Sequence, residues 1–188
     1  SEDSELPYDR PNLSKAYLSG EGEAAWLPLR SEDFYDDYDI EFELDASVEH
    51  LNVDAHRVTL ADGSKLNYDA ALVATGGEPL QPPIAGLDLD HVHLLRSHTD
   101  AHQIIDDLED ADRAVVVGSS FIGMEVAASL RHRDIDVTVA SLESVPFENT
   151  LGPEVGAYFE KLHRDNGVDF ELGDGVSEFV GDGDEAVS

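Results

Sequence analysis

The chain has 188 residues, 42 of them Asp or Glu and 11 Lys or Arg, for a formal net charge of −31. Leu, Ile, Val and Phe together number 51, about 27% of the chain, above the ~20% below which highly charged chains stay disordered, so it folds around a core. With no cysteine, disulfides, thiolate catalysis and Cys-ligated zinc or iron–sulfur clusters are excluded. The shortage of cations argues against nucleic acid, whose phosphates need clustered Lys and Arg.

No run approaches the ~18 consecutive apolar residues of a membrane span. The acidic start Ser1-Glu2-Asp3-Ser4-Glu5 lacks the basic and apolar regions of a signal peptide, and the expectation is a cytoplasmic protein that does not engage a membrane. Only Lys15, Lys65 and Lys161 are lysines, and the carboxylates are spread along the whole chain. That spread reads as a solvated acidic surface and not as a disordered acidic arm. The composition resembles that of halophilic, salt-accumulating organisms; an acidic face shaped for a basic partner is the alternative.

Residues 1–35 are turn-rich, with a short helical stretch at Leu13–Leu18. The acids at Glu32-Asp33 and Asp36-Asp37 read as solvated surface. Ile40–Leu44 alternates with period two and predicts a strand, and Val58–Leu60 and Lys65-Leu66 flank Ala61-Asp62-Gly63-Ser64 as a hairpin. The apolar run Ala70–Ala74 predicts a strand buried on both faces. Gly76-Gly77, Pro79, Pro82 and Pro83 then mark a boundary near 76–95. Ser97-His-Thr-Asp100 fits a capping box opening a helix. Ala114–Val117 predicts a buried strand, Met124–Arg133 a helix, Val137–Val139 a strand and Pro153–Asn166 a second helix, with Pro at its start and Gly167 past its end. Val168–Phe170 and Val176–Val180 read as further strands. Strand–helix alternation of this kind predicts an α/β fold with a parallel sheet.

Between the Ala114 strand and its helix lies Gly118-Ser119-Ser120-Phe121-Ile122-Gly123. A dinucleotide fingerprint at such a place needs a first glycine for the tight turn and a last one for close helix–strand packing. Between them a small residue lets backbone N–H groups reach the pyrophosphate. Ser120 stands where that middle glycine would be. Glycines at strand–helix turns also occur for packing alone. The fingerprint's second half is an acid near the end of the next strand that accepts hydrogen bonds from the adenosine ribose; that place falls at about Ser141, and the nearest acid is Glu143. No Lys or Arg lies between Ala140 and Leu151, which favours NAD(H) over NADP(H). His91, His93, His98 and His102 cluster without a convincing metal-ligand set and read as exposed linker histidines; no metal is expected.

Pro7-Tyr8-Asp9-Arg10-Pro11-Asn12-Leu13-Ser14-Lys15, with Leu72–Pro79, Val115–Leu130, Pro146-Phe147 and Leu151–Val155 in the same order, resembles the FAD-dependent pyridine nucleotide oxidoreductases. The resemblance is to their ferredoxin/rubredoxin reductase and apoptosis-inducing-factor-like group. It implies a Rossmann-like FAD/NAD(P)-binding two-domain fold, a parallel sheet with helices on both faces. Residues 1–95 would be part of an FAD domain and residues 96–188 an NAD domain lacking its C-terminal strands. On that pattern the chain would be truncated at both ends and inactive alone. The resemblance further implies that Arg10, Pro11 and Lys15 line the FAD site and that Glu125 is the carboxylate neighbour of Lys15. Phe121 would face the nicotinamide, Val48 would meet the adenine, and Thr75-Gly76 would pass close to FAD. A cation beside reduced flavin stabilises its negative charge. Each residue also has a plainer role open to it: a surface lysine, a first-turn acid, a core aromatic, a strand terminator.

The implied activity is that of an NADH-dependent flavoprotein reductase. With no sulfur in Leu13-Ser14-Lys15-Ala16, electrons would leave one at a time to a ferredoxin, rubredoxin or Rieske-type carrier. A homodimer stays open, as does a non-catalytic nucleotide-binding or structural role for the same fold.

Overall fold

The computed structural model, which describes residues 1–181 and the backbone of 182 and 185–186, places a parallel sheet where the chain alternates strand and helix. Helix α3 (His98–Asp107) opens on the expected capping box: Ser97 Oγ accepts the Asp100 N–H at 3.1 Å, and Asp100 Oδ2 accepts the Ser97 N–H at 2.7 Å. Strands β4 (Arg113–Val117), β5 (Asp136–Ser141) and β6 (Val168–Leu172) lie in that order, all parallel. Helix α4 (Phe121–His132) joins the first two. The short α5 (Glu148–Leu151) and α6 (Pro153–Asp165) join the second to the third. Proline at the start of α6 costs no hydrogen bond and presets the helical φ. On its exposed side Glu160–Arg164 and Lys161–Asp165 pair at i,i+4, each pair contributing about 0.3–0.5 kcal/mol.

In-register pairing assigns the faces of this sheet. Val137, Val139, Val168 and Phe170 are buried in a core with Leu18, Met124, Ala127, Leu130 and Phe147. Each fully buried side chain of this kind contributes about 1.5–3 kcal/mol. The alternate residues turn the other way, and there Val115 is 57% and Val117 43% exposed. The strand expected to be wholly buried is therefore covered on one side only within the described residues.

These elements, with residues 10–27, belong to one of two compact units; the other comprises residues 1–9 and 28–78. The division expected near residue 95 is one by cofactor, which compactness does not decide. In the smaller unit α2 (Glu32–Asp37) buries Tyr35, and β1 (Val48–Asn52), β2 (Arg57–Leu60) and β3 (Lys65–Asn67) form an antiparallel sheet in that order. The expected hairpin is present, with Asp62 Oδ1 accepting the Ser64 N–H at 2.8 Å across its turn.

Three expected strands are not strands. Ile40–Leu44 forms no ladder; Phe42 instead packs edge-on against Tyr35, ring centroids 4.8 Å apart. Ala70–Ala74 is irregular and Leu72 is 91% exposed, because a strand buried on both faces needs partners and none pairs with it among the described residues. Val176–Val180 makes one parallel bridge, Glu178 to Ala85, its neighbour being an irregular segment that begins with prolines unable to donate. The remaining differences are at boundaries. Helix α4 starts at Phe121, three residues before Met124. The stretch at 13–18 divides into a 3-10 turn (Arg10–Ser14) and α1 (Ala16–Ser19). Beyond β6, β7 (Gly181–Asp182) pairs antiparallel with β8 (Glu185–Ala186).

Candidate active site

The glycine turn is built by two constraints. Gly118 has φ +104°, which only glycine adopts readily, and its N–H donates to Ala140 O at 2.8 Å, tying the turn to β5. Gly123 is needed for closeness: a Cβ there would lie 2.1 Å from Gly118 O. Gly123→Ala should therefore push α4 off β4 and lower stability by about 1–3 kcal/mol or more, read as a lower urea midpoint; an unchanged midpoint would show that the turn tolerates a side chain. Ser120 caps α4 with no side-chain hydrogen bond, and the helix's first internal bond runs from Met124 N–H to Ser120 O. The preceding N–H groups thus stand at the positive end of a twelve-residue helix. This small, uncapped turn fits a pyrophosphate.

On the flank of the same helix, Glu125 meets the segment 10–15. Lys15 Nζ lies 2.8 Å from Glu125 Oε2 and donates to Pro11 O at 3.0 Å. Buried Ser14 donates its hydroxyl to the same carboxylate oxygen at 2.6 Å. Ser129, one turn after Glu125 on the same helical face, is buried and donates to Ser14 O at 2.8 Å. One helix thereby fixes both partners. The side chains of Lys15 and Glu125 are 47% and 29% exposed, so the pair adds only about 0–1 kcal/mol to stability while keeping a cation half open. That suits an anionic, reduced flavin edge. Ser14 and Ser129 were not among the sequence candidates. The signals available were Ser14's place in Leu-Ser-Lys and Ser129's i+4 spacing from Glu125.

Arg10 Nη1 donates to Arg96 O at 2.9 Å. Phe121 is 49% exposed, with its ring 5.1 Å from that of buried Phe147, and Ile122 beside it is 56% exposed. Glu143, two residues past β5, accepts from Ser119 Oγ at 3.0 Å and from Asn149 Nδ2 at 2.7 Å. Nearby, hydrogen bonds from the Ser144 N–H and hydroxyl hold the Glu148 carboxyl below its ordinary range. Glu125 and the glycine turn therefore share one helix, α4, to which Lys15 and Ser14 are bonded from the segment 10–15, and Glu143 bonds to that turn. Val48, at the start of β1, and Thr75-Gly76, in an irregular stretch, belong to the smaller unit.

The histidines find local partners. His91 Nδ1 and His93 Nε2 converge on Asp107 Oδ2 at 2.8 and 2.5 Å, His98 Nε2 lies 3.1 Å from Tyr17 Oη, and His102 pairs with Asp106 at 3.3 Å. Partial burial pushes the Asp107 carboxyl up, but hydrogen bonds from His91 and His93, with their charges, hold it below its ordinary value.

A chain with this turn, helix and ion pair belongs to the pyridine nucleotide-disulphide oxidoreductase family, which it matches over residues 1–188. It is 36% identical to rhodocoxin reductase of Rhodococcus erythropolis over 91% of this chain and 40% of that protein. It is 37% identical to putidaredoxin reductase of Pseudomonas putida, over 93% of this chain and 42% of that one, and 37% identical to human apoptosis-inducing factor 3, over 95% and 29%. The crystal structure of a covalent putidaredoxin reductase–putidaredoxin complex superposes with a TM-score of 0.91 at 35% identity, covering 98% of this chain and 45% of that one. The chain thus spans less than half the length of these relatives. The family, with relatives named as a putidaredoxin reductase and a ferredoxin–NAD(+) reductase, supports FAD and NAD(H) as the cofactors, and the turn and ion pair fit them. No helix among the described residues is long and apolar enough to cross a membrane.

Proposed function

We propose that this chain forms the coenzyme-binding turn and flavin-facing ion pair of an NADH-dependent FAD reductase that passes electrons to a ferredoxin-type protein. Rubredoxin and Rieske-type proteins are acceptors of the same chemistry. The observation that carries this reading is the Lys15–Glu125 pair at 2.8 Å, braced by Ser14 on the same oxygen. Bound FAD would supply a group that takes a hydride as two electrons and releases them singly. The chain's residues do the rest. The start of α4 receives the pyrophosphate, Glu143 accepts from the ribose hydroxyls, and Phe121 offers its exposed ring to the nicotinamide side. Lys15, aimed by Glu125 and Pro11 O, holds positive charge where the reduced cofactor becomes negative.

Arg10, Pro11, Val48 and Thr75-Gly76 complete the FAD contacts in this reading, with residues 1–95 serving FAD and 96–188 serving NAD(H). Relatives named as a ferredoxin–NAD(+) reductase and as a putidaredoxin reductase support it, and Leu13-Ser14-Lys15-Ala16 offers no sulfur to take the electrons at that place. The net charge of −31 supports a cytoplasmic setting in a salt-accumulating cell, where screening relieves the repulsion. The test uses a polypeptide of the relatives' full length that carries this chain, loaded with FAD. Mixing with NADH should bleach the visible flavin absorbance rapidly, and added ferredoxin should restore it. Binding of NADH without bleaching would overturn the reductase reading.

A further inference from the structure

We propose that Ser119 and Asn149 are positioning residues that lock the carboxylate of Glu143. This lock, and not the acid alone, makes the site prefer NADH to NADPH; the inference rests on the coenzyme reading above. Ser119 Oγ lies 3.0 Å from Glu143 Oε2 and 2.8 Å from Ser141 Oγ, and Ser141 Oγ accepts the Glu143 N–H at 3.2 Å. A hydroxyl has one proton and an ionised carboxylate only accepts. The Ser119 proton therefore points at Glu143, and the Ser141 proton at Ser119. The result is a one-way ring from the backbone of Glu143 back to its own side chain.

Ser119 is 1% and Ser141 8% exposed, so bulk water does not compete for these bonds. The other carboxylate oxygen, Oε1, accepts from Asn149 Nδ2 at 2.7 Å. The short helix α5 that bears Asn149 is itself tied to the glycine turn, because the N–H of Phe147, its N-cap, donates to Ser119 O at 3.0 Å.

A carboxylate offers about four lone-pair sites, and the bonds described here use one on each oxygen. What remains is one acceptor per oxygen, the pattern that two adjacent ribose hydroxyls satisfy. A 2′-phosphate instead brings a second negative charge to a carboxylate that cannot swing aside, in a segment with no Lys or Arg between Ala140 and Leu151. A loosely held acid would turn to solvent and blunt both effects.

The experiment titrates NADH and NADPH into this chain by coenzyme fluorescence, for the native sequence, Asn149→Ala and Ser119→Ala, with melting temperatures alongside. Asn149 is exposed, so Asn149→Ala keeps its fold and decides the matter even if Ser119→Ala does not fold. The native chain should bind NADH at least about tenfold more tightly than NADPH, the scale of one charged hydrogen bond. In Asn149→Ala the NADH constant should weaken by about tenfold while that for NADPH does not, so that the preference largely disappears. An unchanged preference in Asn149→Ala, or equal weakening of both coenzymes, would overturn the lock and leave the coenzyme site standing. Equal binding of both by the native chain would also overturn the lock alone. A native chain that binds neither would overturn the coenzyme reading and the lock with it.

Discussion

Lys15→Ala should slow NADH-driven bleaching of the flavin by about 10²-fold, the scale of losing one preorganised charge at a reacting centre. Melting should shift by no more than about 4 °C. The two effects separate because the side chains of Lys15 and Glu125 are 47% and 29% exposed, where an ion pair adds little to folding. Glu125→Gln keeps the shape and a neutral acceptor but removes the negative charge that holds the ammonium, and should cost about tenfold. Stopped-flow absorbance on the FAD-loaded polypeptide of full relative length measures both. Lys15→Ala bleaching at the native rate would remove Lys15 from the reaction.

Melting temperature should climb by about 10 °C or more between 0.1 M and 2 M KCl, because screening of the acidic surface shortens from ~10 Å to ~3 Å near 1 M. The chain carries −31 in 188 residues, so the repulsion relieved is large. It is also local: on α2, Glu32 and Asp36, and Asp33 and Asp37, are like-charged at i,i+4 in a helix of six residues, each pair destabilising by about 0.2–0.5 kcal/mol. Most of the gain should arrive by about 1 M, where screening is already nearly complete. A rise of the same size in sucrose, which acts by exclusion and not by charge, would show that repulsion is not the cause. No rise in KCl would dispose of the halophile reading.

Residues 97–172 were legible because their determinants are local. The Ser97/Asp100 box, Gly118 and Gly123 around a turn, and Pro153 opening α6 each act within a few positions. Ile40–Leu44, Ala70–Ala74 and Val176–Val180 carry equally good strand patterns, but a strand exists only with a partner, and partnership is decided far away in sequence. The site divides the same way. Glu143 follows from its distance past a strand. The Lys15–Glu125 contact joins residues 110 apart, and no periodicity reports it; it was reached through resemblance to a family. Ser14, Ser129 and Ser119 were invisible because a serine is equally at home in solvent, and only burial gave their hydroxyls a direction.

Ser129 donating to the Ser14 carbonyl one turn beyond Glu125 ties the Lys15 ammonium to the flank of α4, the helix whose start is the proposed phosphate cradle. In the proposed reading, a coenzyme that tilts the start of α4 would carry Lys15 with it.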